Sequence, residues 1–89
     1  SLILALADAD DQVRLRAFSV LCELGEPAVG GLEAALTQPD ARLRAGAAAT
    51  LGEIGKPAAR SLDALRKLLD DPDPEVRTQS QTAIAKIEK

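Results

Sequence analysis

A thirty-residue echo constrains this chain more than any other feature. Val13-Arg14-Leu15-Arg16-Ala17 is followed by Leu21, Glu23, Leu24-Gly25 and Pro27-Ala28. The same pattern returns 30 residues later as Leu43-Arg44-Ala45-Gly46-Ala47, then Leu51, Glu53, Ile54-Gly55 and Pro57-Ala58. A third copy opens at Val76-Arg77, 33 residues after Leu43-Arg44, and runs through Ile84 and Ile87. Asp10, Asp40 and Asp73 each stand three residues before the apolar-Arg pair, and Leu6, Leu36 and Leu69 seven before it. The three additional residues of the second interval fall near Ala59 to Ser61. A period of this length, with this punctuation, specifies helical hairpins that must stack to bury their apolar stripes.

The stripes predict where the helices lie. Val13, Ala17, Val20, Leu21 and Leu24 recur at helical spacing and form one face. Asp10 or Asp11 supplies an N-cap, Gly25 a stop, and Pro27 a start where its missing N–H costs nothing. Val29, Leu32 and Leu36 make the next stripe. In the second repeat Asp40 caps, Leu43, Ala47, Leu51 and Ile54 face inward, Gly55 stops and Pro57 restarts, with Leu62, Leu65 and Leu69 following. Asp63 and Lys67, four apart in the favourable order, predict an exposed ion pair. Asp73-Pro74-Glu75 is a cap, an N1 proline and a first-turn acid, and it opens a last helix carrying Val76, Ala83, Ile84 and Ile87. Five helices are predicted near 11–24, 27–37, 41–54, 57–70 and 74–88, with residues 2–7 as a helical stub. The domain plan is one unit over 1–89: a partial repeat 1–9, repeats 10–39 and 40–72, and a capping helix 73–89. No Met is present and the chain opens inside an apolar stretch, so it reads as a piece of a longer protein.

Composition narrows the chemistry. Among 89 residues there is no His, Trp, Tyr or Met, a single aromatic, Phe18, and a single cysteine, Cys22. The commonest general base and metal ligand is therefore missing, and an internal disulfide or thiolate zinc cluster is excluded. The net charge of −3 argues against a protein held mainly by nucleic-acid phosphates. The longest apolar run, Leu2 to Ala7, is too short to cross a bilayer. The lone cysteine suits a reducing compartment, and the expected location is cytoplasmic. Cys22 lacks a neighbouring base and reads as a packed small hydrophobe. Asp70, Asp71 and Asp73 read as loop and capping residues, because the spacing of a calcium loop is missing.

The pattern Asp-x-x-(Val/Leu)-Arg, Ala-rich turns, Leu-Gly-Glu-Ile-Gly and Lys-Pro-Ala, best seen from Asp40 to Ala58, resembles the short HEAT-like repeats, including those of phycobilisome lyase subunits. The resemblance covers nearly the whole chain and implies an all-α fold, a right-handed α–α superhelix. It implies a non-catalytic scaffold that binds a protein or peptide, with no cofactor; the alternative is a fragment of a phycobilin lyase-type enzyme subunit. The family's iron-binding hydroxylases need histidines, which are absent here, and its DNA glycosylases would want aromatic side chains, of which this chain has no Trp or Tyr.

The resemblance also implies that the second helix of each repeat lines the concave face. Removing the core stripe leaves Gly30, Glu33, Ala34 and Thr37 on one such helix and Asp63, Arg66, Lys67 and Asp70 on the next. Glu33, Thr37, Asp63, Arg66, Lys67 and Asp70 are the candidate partner-binding residues, and their mixed charge suits a protein better than nucleic acid. Arg14, Arg44 and Arg77 share one repeat position. Either they form a basic ladder for an acidic partner, or each reaches a helix-capping Asp (Asp10, Asp40 or Asp73); their register with the caps favours the second. Leu15, Phe18 and Cys22 form an extra apolar stripe whose counterparts are Ala45, Ala48 and Gly52, then Thr78, Gln81 and Ala85. Bulk falls along the chain, as expected if the last helix is a solvated cap. The apolar N-terminal end, through Leu4, Leu15 and Phe18, is the expected site of self-association.

Overall fold

A computed structural model describes residues 1–89. Five α-helices supply most of the core: α1 (Asp11–Leu24), α2 (Glu26–Ala35), α3 (Ala41–Ile54), α4 (Leu62–Lys67) and α5 (Pro74–Glu88). Three 3₁₀ segments, Leu4–Ala7, Lys56–Ser61 and Leu68–Asp70, complete the helical structure. The molecule measures 28 × 27 × 18 Å. Its short dimension is the depth of two packed helices, since one helix with side chains is about 10–12 Å across. α1, α3 and α5 form one layer, joined α1 to α3 and α3 to α5. α2 and the Lys56–Asp70 segment form the other.

Local chemistry sets the helix starts. Asp10, Asp40 and Asp73 are N-caps whose carboxylates accept from the backbone N–H of Gln12, Arg42, and both Glu75 and Val76. Each satisfies amides that the first turn cannot. The two stops are equally local: Gly25 (φ +64) and Gly55 (φ +78) alone have positive φ, a backbone state in which a Cβ is strained. Pro27 sits in the first turn of α2, one residue inside its start.

The second repeat departs from the predicted 57–70 helix. Lys56–Ser61 and Leu68–Asp70 are 3₁₀ turns around the short α4. The irregular first segment coincides with the three-residue insertion in the repeat. Tightening the helix there places the buried Ser61 where its hydroxyl donates to Glu33 Oε1 at 3.1 Å. The stub is likewise a 3₁₀ turn, over Leu4–Ala7, and α2 closes at Ala35 rather than residue 37.

The core lies between the layers. Val29, Leu32, Leu36, Ala47, Leu51, Ala58 and Leu65 are essentially sealed from solvent. The predicted stripe of α1 is only partly correct: Ala17 and Leu21 are buried, but Val13, Val20 and Leu24 are exposed. They look outward from the stack, where no neighbouring helix covers them. Leu69 is exposed as well. Its 3₁₀ turn rotates it off the α4 stripe.

The two seams of the first layer differ. α3 and α5 share the most extensive contact in the molecule, whereas α1 meets α3 over much less. Side-chain size is the cause. At Gly52 an added Cβ would lie 2.8 Å from the Cα of Ala83, so the α3 and α5 backbones touch. The counterparts of Ala45, Ala48 and Gly52 on α1 are Leu15, Phe18 and Cys22, whose bulk keeps α1 away from α3. Leu6 of the stub fills part of the space, seated against Gly46.

One core position breaks the repeat. Ser80 stands where the earlier repeats carry Ala17 and Ala47; all three are buried, and the Ser80 hydroxyl has no hydrogen-bond partner. Ser80→Ala removes an unsatisfied buried group and gains helix propensity, so it raises stability by about 1 kcal/mol. That is a rise of roughly 4–8 °C in Tm for a domain of this size, read by thermal unfolding; an unchanged or lower Tm would show that the hydroxyl is satisfied in solution.

Candidate interaction surfaces

The second-helix residues predicted from sequence occupy one side of the slab, on α2, α4 and the turns that follow them. Glu33 accepts from Arg60 Nε (3.2 Å) and from Ser61 Oγ, tying α2 to the next repeat. Thr37 bonds back to the Ala34 carbonyl at 3.0 Å. Arg66 donates to Asp63 (3.2 Å) and to Glu88 of α5 (2.6 Å). The predicted Asp63–Lys67 pair does not form, because Asp63 engages Arg66 instead. Lys67 and Asp70 are exposed and enter no ion pair. Arg60, Ser61 and Glu88 were not legible as members of this surface. Each belongs to it through a contact 22 or more residues away in sequence.

The opposite face carries the largest recesses. One of about 570 Å³ lies over the N-terminal half of α3, with Arg14, Arg42, Asp40, Asp73 and Glu75 around it and Ala45, Gly46 and Ala49 in its lining. A neighbouring recess of about 450 Å³ shares Leu6, Arg14, Gly46, Ala49 and Gln79 and adds Leu15 and Phe18. Both follow from the residue sizes already described: α3 presents Ala and Gly here while α1 stands off. Leu15 (59% exposed) and Phe18, half-buried, belong to this face, and Leu4 (61% exposed) lies on the stub.

The recurring arginines do not reach the capping aspartates. Each folds back onto the loop before its own helix: Arg14 donates to the Asp8 carbonyl, Arg44 to those of Gln38 and Pro39, and Arg77 to those of Asp71 and Pro72. Arg44 alone also grips a carboxylate distant in the chain, that of Asp71 in the loop before α5. Its Nε and Nη2 meet Asp71 Oδ2 and Oδ1 at 2.9 and 3.1 Å, a forked contact with both groups nearly buried. Asp71 also accepts from the Asp73 N–H at 2.9 Å. These hydrogen bonds from Arg44 hold the Asp71 carboxyl below the usual carboxylate range and raise the Arg44 guanidinium further. The residue matching Asp71 one repeat earlier is Gln38, which has no charge, and Arg14 pairs with Asp11 instead. Cys22 is half-buried, and burial, with Glu53 nearby, pushes its thiol up and away from thiolate chemistry.

No group of three or more His, Cys, Asp or Glu side chains is arranged to hold a metal ion, and no helix is long and apolar enough to cross a membrane. No curated protein matches the chain. The profile of the family described as HEAT repeats matches residues 1–88. Stacked helical hairpins, the Asp–Gly–Pro punctuation and that match agree: the chain belongs to the HEAT-repeat family.

Proposed function

We propose that this chain is a non-catalytic scaffold of the cytoplasm that holds a protein or peptide segment against its α2–α4 face. The observation that carries the reading is a fixed frame of mixed charge. Glu33 is braced by Arg60 and Ser61, and Arg66 by Asp63 and Glu88. Just past Arg66, Lys67 and Asp70 are left as unpaired charges of opposite sign. Such a surface selects a partner by charge complementarity more than by apolar burial. HEAT repeats commonly serve as interaction scaffolds, which supports the same reading.

The test uses Lys67→Glu combined with Asp70→Lys. Arg66 is left intact, because replacing it would also release Glu88. With the chain as bait, capture of its partner falls about tenfold or more while helicity and Tm hold; equal capture by the variant would overturn the assignment. The second reading, a phycobilin lyase-type subunit, draws on the 570 Å³ recess, where Arg14 and Arg42 could meet the propionates of a tetrapyrrole. Adding a bilin and recording its absorbance separates the two: a spectral shift lost on replacing both arginines favours the lyase.

A further inference from the structure

Three recesses on the face opposite α2 and α4 run together. Those of about 570 and 450 Å³ share Gly46, Ala49 and Gln79. A third, of about 180 Å³, continues from Ala49 and Gln79 to Glu53 and Lys86. Together they form a trough along α3 from Arg42 to Glu53, about 16 Å or three helical turns. Its floor is shallow in side chains because the repeat breaks there: Gly46 and Ala49 stand where α1 carries Arg16 and Ser19, and where α5 carries Gln79 and Thr82. Leu15 and Phe18 of α1 make an apolar wall, and Gln79 and Thr82 of α5 a polar one. Both walls lie within the stack, so the trough is not an end of it.

We propose that the trough docks a basic amphipathic helix of a partner protein. Shape selects a helix. Ala45, Gly46 and Ala49, bounded by Leu15 and Phe18, leave a groove that takes the side-chain ridge of another helix. An extended segment fits poorly, because the trough has no sheet edge. Its uncharged polar side chains, Gln79 and Thr82, are too few for the backbone groups such a segment would bring. A helix satisfies most of its own backbone. Charge selects the sign. Arg14 is held by Asp11, and Lys86 by Glu53. At the N-terminal mouth Arg42 then stands as the one free cation beside Asp40, Asp73 and Glu75. Asp40 and Asp73 are engaged as helix caps. The Glu75 carboxylate accepts one hydrogen bond, from the Gln79 side-chain amide at 2.9 Å, and enters no ion pair. A lysine or arginine near one end of the incoming helix meets this surplus while its apolar ridge covers Leu15, Phe18 and Ala49. The inference is independent of the α2–α4 reading, since it uses the opposite face.

The probe is a stapled, fluorophore-labelled, Ala-rich peptide of about four turns, with three leucines on one face and two lysines in its last turn. Anisotropy titration with the 89-residue chain shows saturable binding. Affinity falls about tenfold when the leucines are spread around the peptide helix, and again when glutamates replace the lysines. Ala49→Gln, which restores a polar side chain of the kind α1 and α5 carry there, weakens binding about tenfold. Glu75→Gln weakens the lysine peptide about threefold and leaves a lysine-free peptide unchanged, a difference that a purely structural role would not produce. Amide shifts on adding the peptide fall along α3 and its two walls, and the Lys67→Glu/Asp70→Lys chain binds as the parent does. No saturable binding, equal affinity for the three peptides, or full binding by Ala49→Gln would overturn the proposal. So would shifts confined to α2 and α4, a dimer of the free chain that Ala49→Gln abolishes, or a bilin that takes the trough more tightly than the peptide. Far-UV circular dichroism confirms that each variant is folded.

Discussion

Replacing Asp71 with alanine removes about 2–4 kcal/mol of folding stability. For an 89-residue domain, whose total is about 4–13 kcal/mol, that is a large share. The loss has three parts. Arg44 keeps its place near the protein interior but loses its forked partner, so a nearly buried cation stands uncompensated. The Asp73 N–H loses its acceptor. The loop leading into α5 loses the strap that ties it to α3. Denaturant unfolding of Asp71→Ala beside Asp70→Ala checks this: Asp70 is exposed and unpaired, so its variant stays within about 0.5 kcal/mol of the parent. Equal midpoints for the two would refute the argument.

The same carboxylate gives acid stability a sign. Its folded-state pKa lies below the ordinary value. Its contribution is therefore complete above about pH 5, where the unfolded chain's carboxylate is almost fully ionised. It is lost as pH falls through the depressed folded value. Asp71→Asn, unable to ionise, is less stable at neutral pH and shows a shallower decline below pH 4. Parallel curves for parent and variant would show that the pair does not govern this region.

Gly52→Leu produces the second large effect, separation of α5 from α3. Even a bare Cβ at residue 52 would meet Ala83 Cα at 2.8 Å and its Cβ at 3.0 Å, and a backbone atom cannot swing aside. Gly52→Ala sets this overlap against about 1 kcal/mol of gained helix propensity and comes out destabilising by about 1–2 kcal/mol. The leucine variant exceeds 3 kcal/mol, and its α5 amides exchange much faster than those of α2. Hydrogen exchange resolved by residue reads both. Wild-type protection across α5 in the leucine variant would mean that the helices can slide without loss.

The sequence made legible what neighbouring residues decide. Three aspartate caps, two glycine stops and the stripe Leu43, Ala47, Leu51 follow from interactions within a turn or two, and the repeat shows each of them more than once. Contacts between residues far apart in the chain follow no such local rule. The Arg44–Asp71 fork spans 27 residues, and its counterpart position holds Gln38, so periodicity alone gave no hint of it. The exposure of Val13, Val20 and Leu24 was hidden because their spacing equals that of a core stripe; only the lack of a neighbour on that side separates the two. Glu33 and Arg66 stand on the outward face in sequence, yet stacking brings Arg60 and Ser61 onto the first and Glu88 onto the second.

The unequal seams also make the stack a graded spring. Pulled from its two ends, it yields first at α1, where Leu15 and Phe18 hold the helices apart and few atoms resist parting. The glycine–alanine joint between α3 and α5 bears a higher load, because close backbone approach multiplies the short-range attractions that must be broken together.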